Sequence, residues 1–503
     1  MSTEHLDVVI VGAGLSGIGT ACHLERDLPG TRYAVLEARD DLGGTWSLFR
    51  YPGIRSDSDM HTLGYRFRPW SSATALADGP SILEYVRDTA QEYGVDEKIR
   101  YGHRLTRASW DSDAQRWTLE LPGQEPLTCS FLLMCSGYYR YDQGYTPDLP
   151  GLEHFGGIVV HPQLWDPEMD YAGQRVVVIG SGATAVTLVP AMLEGDSAAA
   201  HVTMLQRSPS YVLSIGRTDP VAEVLSRWLP RSVADPLTRT KNIAQIIALY
   251  QISQRFPRFV RGLLRKATQA ALPEGYDVDT HFNPRYDPWD QRMCMVPDGD
   301  LFRAVRSGQA DIVTDTIETF TEDGIRLASG QELEADVVVT ATGLNLQMFG
   351  GAEVVVDGEP LHLPDTMAYK GMMLSGVPNL VYMIGYTNAS WTLKVDLVAE
   401  YVVRLLRHLR DHGLGVAVPE RDPDVEEAPF LDFGAGYVQR SIDELPKQGT
   451  RAPWRLAMNY AIDAVALRRS RVDDDAVRFV PARAWPGTGG RARGGMTSEM
   501  MRA

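Results

Sequence analysis

The chain has 503 residues, enough for two or three domains with sizeable cores, and 44% hydrophobic with 23% charged residues is the composition of a folded globular protein. A formal net charge of −16 argues against nucleic acid as a partner. Cys22, Cys129, Cys135 and Cys294 stand apart with no C-x-x-C pair, no apolar run is long enough to span a membrane, and the first residues enter a strand with no room for a signal peptide, so a cytoplasmic enzyme with buried free thiols is expected.

The first predicted unit is LDVVIVGAGLSGIGTACHLE (6–25): a buried strand, a turn and a helix start. Its turn carries G-x-G-x-x-G at Gly12, Gly14 and Gly17, with Ser16 inside it. Glycine is needed where the chain turns sharply, where backbone approaches a pyrophosphate and where helix packs on strand. A second strand, YAVLE, ends in Glu37, an acid that accepts hydrogen bonds from a ribose diol and repels a 2′-phosphate. The site suits FAD.

The pattern recurs in RVVVIGSGATAVTLVPAML (175–193), with Gly180, Gly182 and Ala185 as G-x-G-x-x-A and Ser181, Ala183 and Thr184 between them. Here the second strand, VTMLQRSP, ends in Arg207 and Ser208 with no acid. A guanidinium holds a phosphate through two parallel hydrogen bonds, so this site suits NADPH. Two such sites in one chain imply hydride transfer between the two cofactors.

FLLMCSG (131–137) and DVVVTATG (336–343) read as supporting strands that end at a small residue and Gly, and LVYMIGY (380–386) as a late strand of the first unit. The expected class is α/β, with two Rossmann-like dinucleotide-binding domains and a helical insertion. The expected boundaries are 1–148 and 376–485 for a discontinuous FAD domain and 149–375 for the NADPH domain. The insertion lies at about 216–295, and a disordered Gly/Arg-rich tail covers 486–503. Within the insertion, residues 227–266 carry nine Lys and Arg against Asp235 alone, around the helical run IAQIIALYQI (243–252). A basic amphipathic helix can lie on an anionic membrane. The reading favoured here is a helix that packs by its apolar stripe and solvates its cations.

Two further stretches carry a resemblance. FGGIVVHPQLWD (155–166) holds Phe155, Gly157, His161, Trp165 and Asp166 at F-x-G-x-x-x-H-x-x-x-W-D spacing. GGTWSLFRYPGIRSD (43–57) holds Gly44, Trp46, Tyr51, Pro52, Gly53 and Asp57. Together with the two glycine loops they resemble class B flavoprotein monooxygenases of the Baeyer–Villiger type. The segments LPEGYDV, DPWDQRMCMVPDGDLFRA, AYKGMMLSG, YTNASWTLK and DELPKQGTRAPWRL are similar to the actinobacterial ethionamide-activating subgroup, and the likeness runs to about residue 457.

That resemblance implies FAD contacts from Gly44, Thr45, Trp46, Asp57 and Leu105 besides the first loop. It implies conversion of ketones to esters or lactones through a C4a-peroxyflavin, with sulfoxidation of sulfides or thioamides alongside. The partners are then a small ketone or sulfide and dioxygen, with no metal. Arg292 matches the family's active-site arginine and Asp57 its carboxylate partner. Gln291 replaces a lysine common in relatives, which leaves the 2′-phosphate to Arg207 and Ser208. The family's His, here His161, is held to be structural, and a His in a linker is by itself more often an anchor than a catalyst. The alternative within the family is a flavin-containing monooxygenase acting mainly at sulfur. A disulfide reductase would need a redox cysteine pair that this sequence lacks, and the oxygenation motifs argue against a non-catalytic redox sensor. The natural substrate and oligomeric state have no signature in the sequence.

Overall fold

The unbroken apolar run of the first unit is buried on both faces of a sheet, as in parallel α/β architecture. In the computed structural model, which describes residues 3–431 and 433–483, it forms the strand His5–Val11. Tyr33–Leu36 and Leu127–Met134 flank it in parallel, and Leu380–Tyr382 pairs beyond Leu127–Met134. These strands centre a nine-stranded sheet. On one face the helix Leu15–Asp27 packs against the long helix Trp391–Asp411. The tail expected to be disordered lies outside the described residues.

The second sheet has five parallel strands in the spatial order Ala310–Thr314, His201–Gln206, Arg175–Ile179, Val337–Thr340, Ile158–Val160. In each sheet the strand before the glycine loop has the next strand of its unit on one side and a much later strand on the other. That reversal opens a crevice at the strand ends, where α/β proteins bind ligands.

Two segments cross between the sheets, Tyr139–Gly144 outward and Leu344–Leu346 on the return, and they pair antiparallel. The return follows DVVVTATG (336–343) directly, ahead of the domain boundary drawn at 376. Glu353–Val356 already lies in the first sheet, parallel to Arg107–Asp111, and turns back through Asp357-Gly358 to Glu359–Pro360. Asp357 and Gly358 both have positive φ, as a two-residue hairpin turn demands. The expected helical insertion is present as the helices Pro220–Trp228, Arg231–Arg255 and Pro257–Ala271, between the paired strands Val212–Ile215 and Cys294–Pro297.

Candidate active site

Both glycine loops open into one cavity of about 1180 Å³. Gly12, Gly14, Ser16, Glu37, Gly44, Thr45, Trp46, Asp57 and Leu105 line it from the first half. Gly180, Ser181, Gly182, Ala183, Thr184, Arg207 and Ser208 line it from the second, and Arg292 from the end of the insertion. Gly17 and Ala185 serve packing instead. A Cβ on Gly17 would stand 1.8 Å from the Gly12 carbonyl oxygen, and Ala185 is fully buried.

The residues fit two dinucleotides. The helices Leu15–Asp27 and Ala183–Ala191 each begin at a glycine with no side-chain cap and no acid in the first turn, which leaves their first N–H groups for an anionic ligand. A Cβ on Gly182 would meet nothing within 4 Å, so the backbone there lies open to the cavity. The Glu37 carboxylate is buried and fixed by the N–H groups of Ala13 (2.9 Å) and Arg39 (3.0 Å), beside the first loop. The loop 43–57 also reaches the second half. Gly53 lies so close to the helix Ala183–Ala191 that a Cβ would come within 2.5 Å of Ala191 Cβ, and Arg55 pairs with Asp300 at 2.5 Å.

Arg292 and Asp57 meet as a two-point ion pair, with Nε donating to Oδ2 at 2.5 Å and Nη2 to Oδ1 at 2.6 Å. Nη2 also donates to Ser58 Oγ and Nη1 to the Thr387 carbonyl. Four of the five guanidinium N–H donors thus have protein partners among the described residues, one on Nη1 has none there, and Arg292 lines the cavity. Burial works against this charge, but the adjacent Asp57 carboxylate outweighs it and raises the guanidinium pKa further.

An aromatic wall stands next to this pair. Trp391 stacks on Tyr138 at 5.2 Å and donates from Nε1 to Ser16 Oγ at 2.8 Å. Tyr139 packs beside Tyr138, and Tyr437 stands edge-on to Tyr139. All four line the cavity, and burial pushes the Tyr139 and Tyr437 hydroxyls up, so both are neutral donors. Sequence reasoning missed this wall. The residues belong to three distant segments, and Trp391 within YTNASWTLK was not placed at the site by sequence reasoning.

None of Phe155, Gly157, His161, Trp165 and Asp166 lines the cavity. Trp165 is buried in the core of the second sheet, edge-on to Tyr171. Phe155 packs edge-on to Phe320, and Gly157 passes so close to the Asp336 carbonyl that a Cβ would come within 2.3 Å. Asp166 accepts from the Glu168 N–H in a tight turn. His161 sits on the crossover ribbon. Its Nδ1 accepts from the Gln163 N–H and its Nε2 donates to the Gly343 carbonyl, both at 3.1 Å, while Gly144 lies against the ring. The stretch is therefore an anchor that ties the linker to both crossing segments.

Burial holds the His161 pKa below the ordinary histidine value. A histidine depressed in the fold stabilises fully above its unfolded pKa of about 6.5, and that contribution is lost as pH falls through the folded value. The Tm gap between wild type and His161→Gln is expected to narrow as pH is lowered from about 7.5 to about 5. A gap independent of pH would contradict this anchoring.

Comparison with known proteins fits the geometry. Residues 10–75 match an NAD(P)-binding Rossmann-like domain and residues 78–273 a flavin-binding monooxygenase-like family. The FAD-containing monooxygenase EthA of Mycobacterium tuberculosis is 56% identical over 481 residues, which cover 95% of this chain and 98% of that protein. The chain belongs to the FAD-containing monooxygenases. The monooxygenase is also 47% identical, over 95% of its length and 96% of the relative's, to the probable FAD-binding monooxygenase AlmA of Acinetobacter baylyi. An oxidized steroid monooxygenase bound to NADP shares its fold with a TM-score of 0.73 at 21% identity, covering 95% of this chain and 100% of that one. OTEMO in complex with FAD and NADP superposes with a TM-score of 0.69 at 23% identity, over 83% and 88% of the two chains. FAD and a nicotinamide dinucleotide are thus the cofactors of this monooxygenase, and a small molecule and dioxygen its substrates.

Proposed function

We propose that this monooxygenase uses NADPH to reduce its FAD and inserts one oxygen atom of dioxygen beside the carbonyl of a ketone, with S-oxygenation of sulfides or thioamides as a second activity. The observation that carries the reading is the Arg292–Asp57 pair inside the one cavity shared by both glycine loops. FAD belongs with the nine-stranded half and NADPH with the five-stranded half.

Bound FAD supplies electron exchange with the nicotinamide and the activation of dioxygen. The protein residues supply the rest. Helix N-termini at Gly14 and Gly182 hold the pyrophosphates, and Glu37 holds the FAD ribose. The remaining Nη1–H of Arg292 would be free to donate to negative charge that develops in this space, and a fixed donor in a water-poor site stabilises such charge strongly. Asp57 keeps the guanidinium oriented and moderates its field. Tyr138, Tyr139, Tyr437 and Trp391 exclude water from the same space. Oxygen consumption with NADPH, compared for a methyl ketone and an aryl sulfide, tests the reading. Ester formation supports it, exclusive sulfoxide formation replaces it with an S-oxygenase, and no turnover of either overturns both.

Arg207 and Ser208 line the cavity just after the strand His201–Gln206, which supports their holding a 2′-phosphate. Removing a charge-assisted contact to phosphate costs about 1.5–3 kcal/mol. Arg207→Ala is therefore expected to raise KM for NADPH roughly ten- to hundredfold while leaving KM for NADH nearly unchanged. An equal effect on both cofactors would refute the 2′-phosphate assignment.

A further inference from the structure

Between Pro236 and Pro273 there is no acidic residue, in a chain whose net charge is −16. The favoured expectation was that this segment packs by its apolar stripe. On the run 243–252 that expectation holds, since Ile246, Leu249 and Tyr250 pack against a buried cluster, but on the next helix the apolar side chains divide. On the helix Pro257–Ala271, Val260, Leu264 and Thr268 face inward and are buried. Phe259 and Leu263 face outward, 67% and 57% exposed, and Ile252 and Phe256 are exposed at the bend just before them. Nine of the fifteen exposed large apolar side chains among the described residues fall between Val221 and Leu263. Apolar side chains exposed singly need no explanation, but such a concentration does.

The cations divide as well. Arg239 donates to the carbonyls of His61, Thr62 and Gly64 and pairs with Asp396, and Lys241 pairs with Asp219. Arg265 pairs with Asp279, and Arg261 donates to the Pro284 carbonyl. These four hold the insertion in place. Arg255, Arg258 and Lys266 make no ion pair among the described residues, and all three are exposed beside the apolar ridge. The Arg255 guanidinium lies 6.0 Å from the Phe256 ring.

We propose that this bend, residues 252–266, is a docking surface for an anionic lipid bilayer. Phe256, Phe259 and Leu263 would enter the interface while Arg255, Arg258 and Lys266 meet the headgroups. Exposed apolar side chains flanked by unspent cations on a short amphipathic helix are the chemistry of an interfacial segment. Among the described residues no helix is long and apolar enough to cross a membrane, so the contact is with the surface. A second copy of the chain fits less well, since symmetric pairing through this bend would set like charges against each other.

The test is co-sedimentation of the full-length, FAD-loaded protein with vesicles of phosphatidylcholine alone or mixed with phosphatidylglycerol. Each cation near an anionic surface strengthens binding about fivefold. The protein should pellet with the anionic vesicles, be released by high salt, and stay in solution with the neutral ones. Arg255→Glu/Arg258→Glu/Lys266→Glu should lose more than about a hundredfold in affinity. Phe259→Ser/Leu263→Ser should also weaken binding. Both variants should keep flavin content and turnover of a soluble substrate, because neither touches the cavity. Failure of the wild-type protein to bind anionic vesicles, or unchanged binding by the triple variant, would overturn the proposal. So would variants that alter the oligomeric state in analytical ultracentrifugation but not vesicle binding, which would assign the face to a second copy.

Discussion

Arg292→Ala is expected to lower ketone oxygenation by more than about a hundredfold while leaving reduction of the flavin by NADPH measurable. The two effects separate because Arg292 lines the cavity and contacts Asp57, Ser58 and Thr387, with no hydrogen bond to either glycine loop. Its remaining donor is directional: Asp57 takes two N–H groups, and Ser58 and Thr387 take two more. Alanine removes that donor and leaves the Asp57 carboxylate facing the cavity with no counter-charge, which repels further negative charge. Arg292→Lys restores a point charge but cannot satisfy both Asp57 oxygens and also aim a donor inward, so partial recovery is expected. Stopped-flow absorbance separates flavin reduction from the later oxygen-dependent steps, and product analysis reports the ester. Normal ester formation by the alanine variant would remove Arg292 from the mechanism. Loss of flavin reduction as well would make its role positional for both cofactors.

The parts legible in the sequence were those whose chemistry is local. A glycine loop between a buried strand and a helix is a contiguous requirement, and Glu37 and Arg207 follow at fixed distances along the same units. Both sets do reach one cavity. The first sheet's late strand at 380–382 was also readable, since a fully buried parallel strand is a short unbroken apolar run. The domain boundary at 376 came late because EVVVDGEP is brief. Yet its signal was present: three consecutive valines followed by Asp-Gly mark a strand and a hairpin turn.

Features that depend on distant segments were not legible. The aromatic wall draws on residues 138, 139, 391 and 437, which no periodicity connects. The fingerprint was recognisable by pattern, but its physical content is contact with the ribbon formed by Tyr139–Gly144 and Leu344–Leu346, and that pairing joins residues some two hundred positions apart. The basic segment was legible only in part for a related reason. An apolar stripe in a sequence says which face avoids water in an isolated helix, not whether the rest of the fold covers it. Here the cover reaches Val260 and Leu264 and stops short of Phe259 and Leu263.

A matched pair of glycine substitutions separates what the loops do for the fold from what they do for the cofactors. Gly17→Ala is expected to yield protein without flavin, and much of it insoluble. Its Cβ would stand 1.8 Å from the Gly12 carbonyl oxygen and 3.4 Å from Ile10 Cγ2. The obstacle is backbone, so no side-chain rotation relieves it, and the helix must move off the strand that carries the FAD loop. Overpacking of this kind commonly costs about 1–3 kcal/mol even when neighbours can give way, and here they cannot. Gly182→Ala stands in contrast, because its Cβ would meet no protein atom within 4 Å. That variant should fold, bind flavin and melt within a few degrees of wild type, since a Gly-to-Ala change in open space is at worst nearly neutral. Its methyl group instead projects into space a pyrophosphate must approach closely, so KM for NADPH should rise at least about tenfold. The ratio of flavin to protein absorbance and steady-state kinetics give the two readouts. Wild-type flavin content in Gly17→Ala would mean that the loop tolerates a side chain at its tightest contact. Wild-type KM in Gly182→Ala would place the nicotinamide dinucleotide away from the loop that the sequence assigns to it.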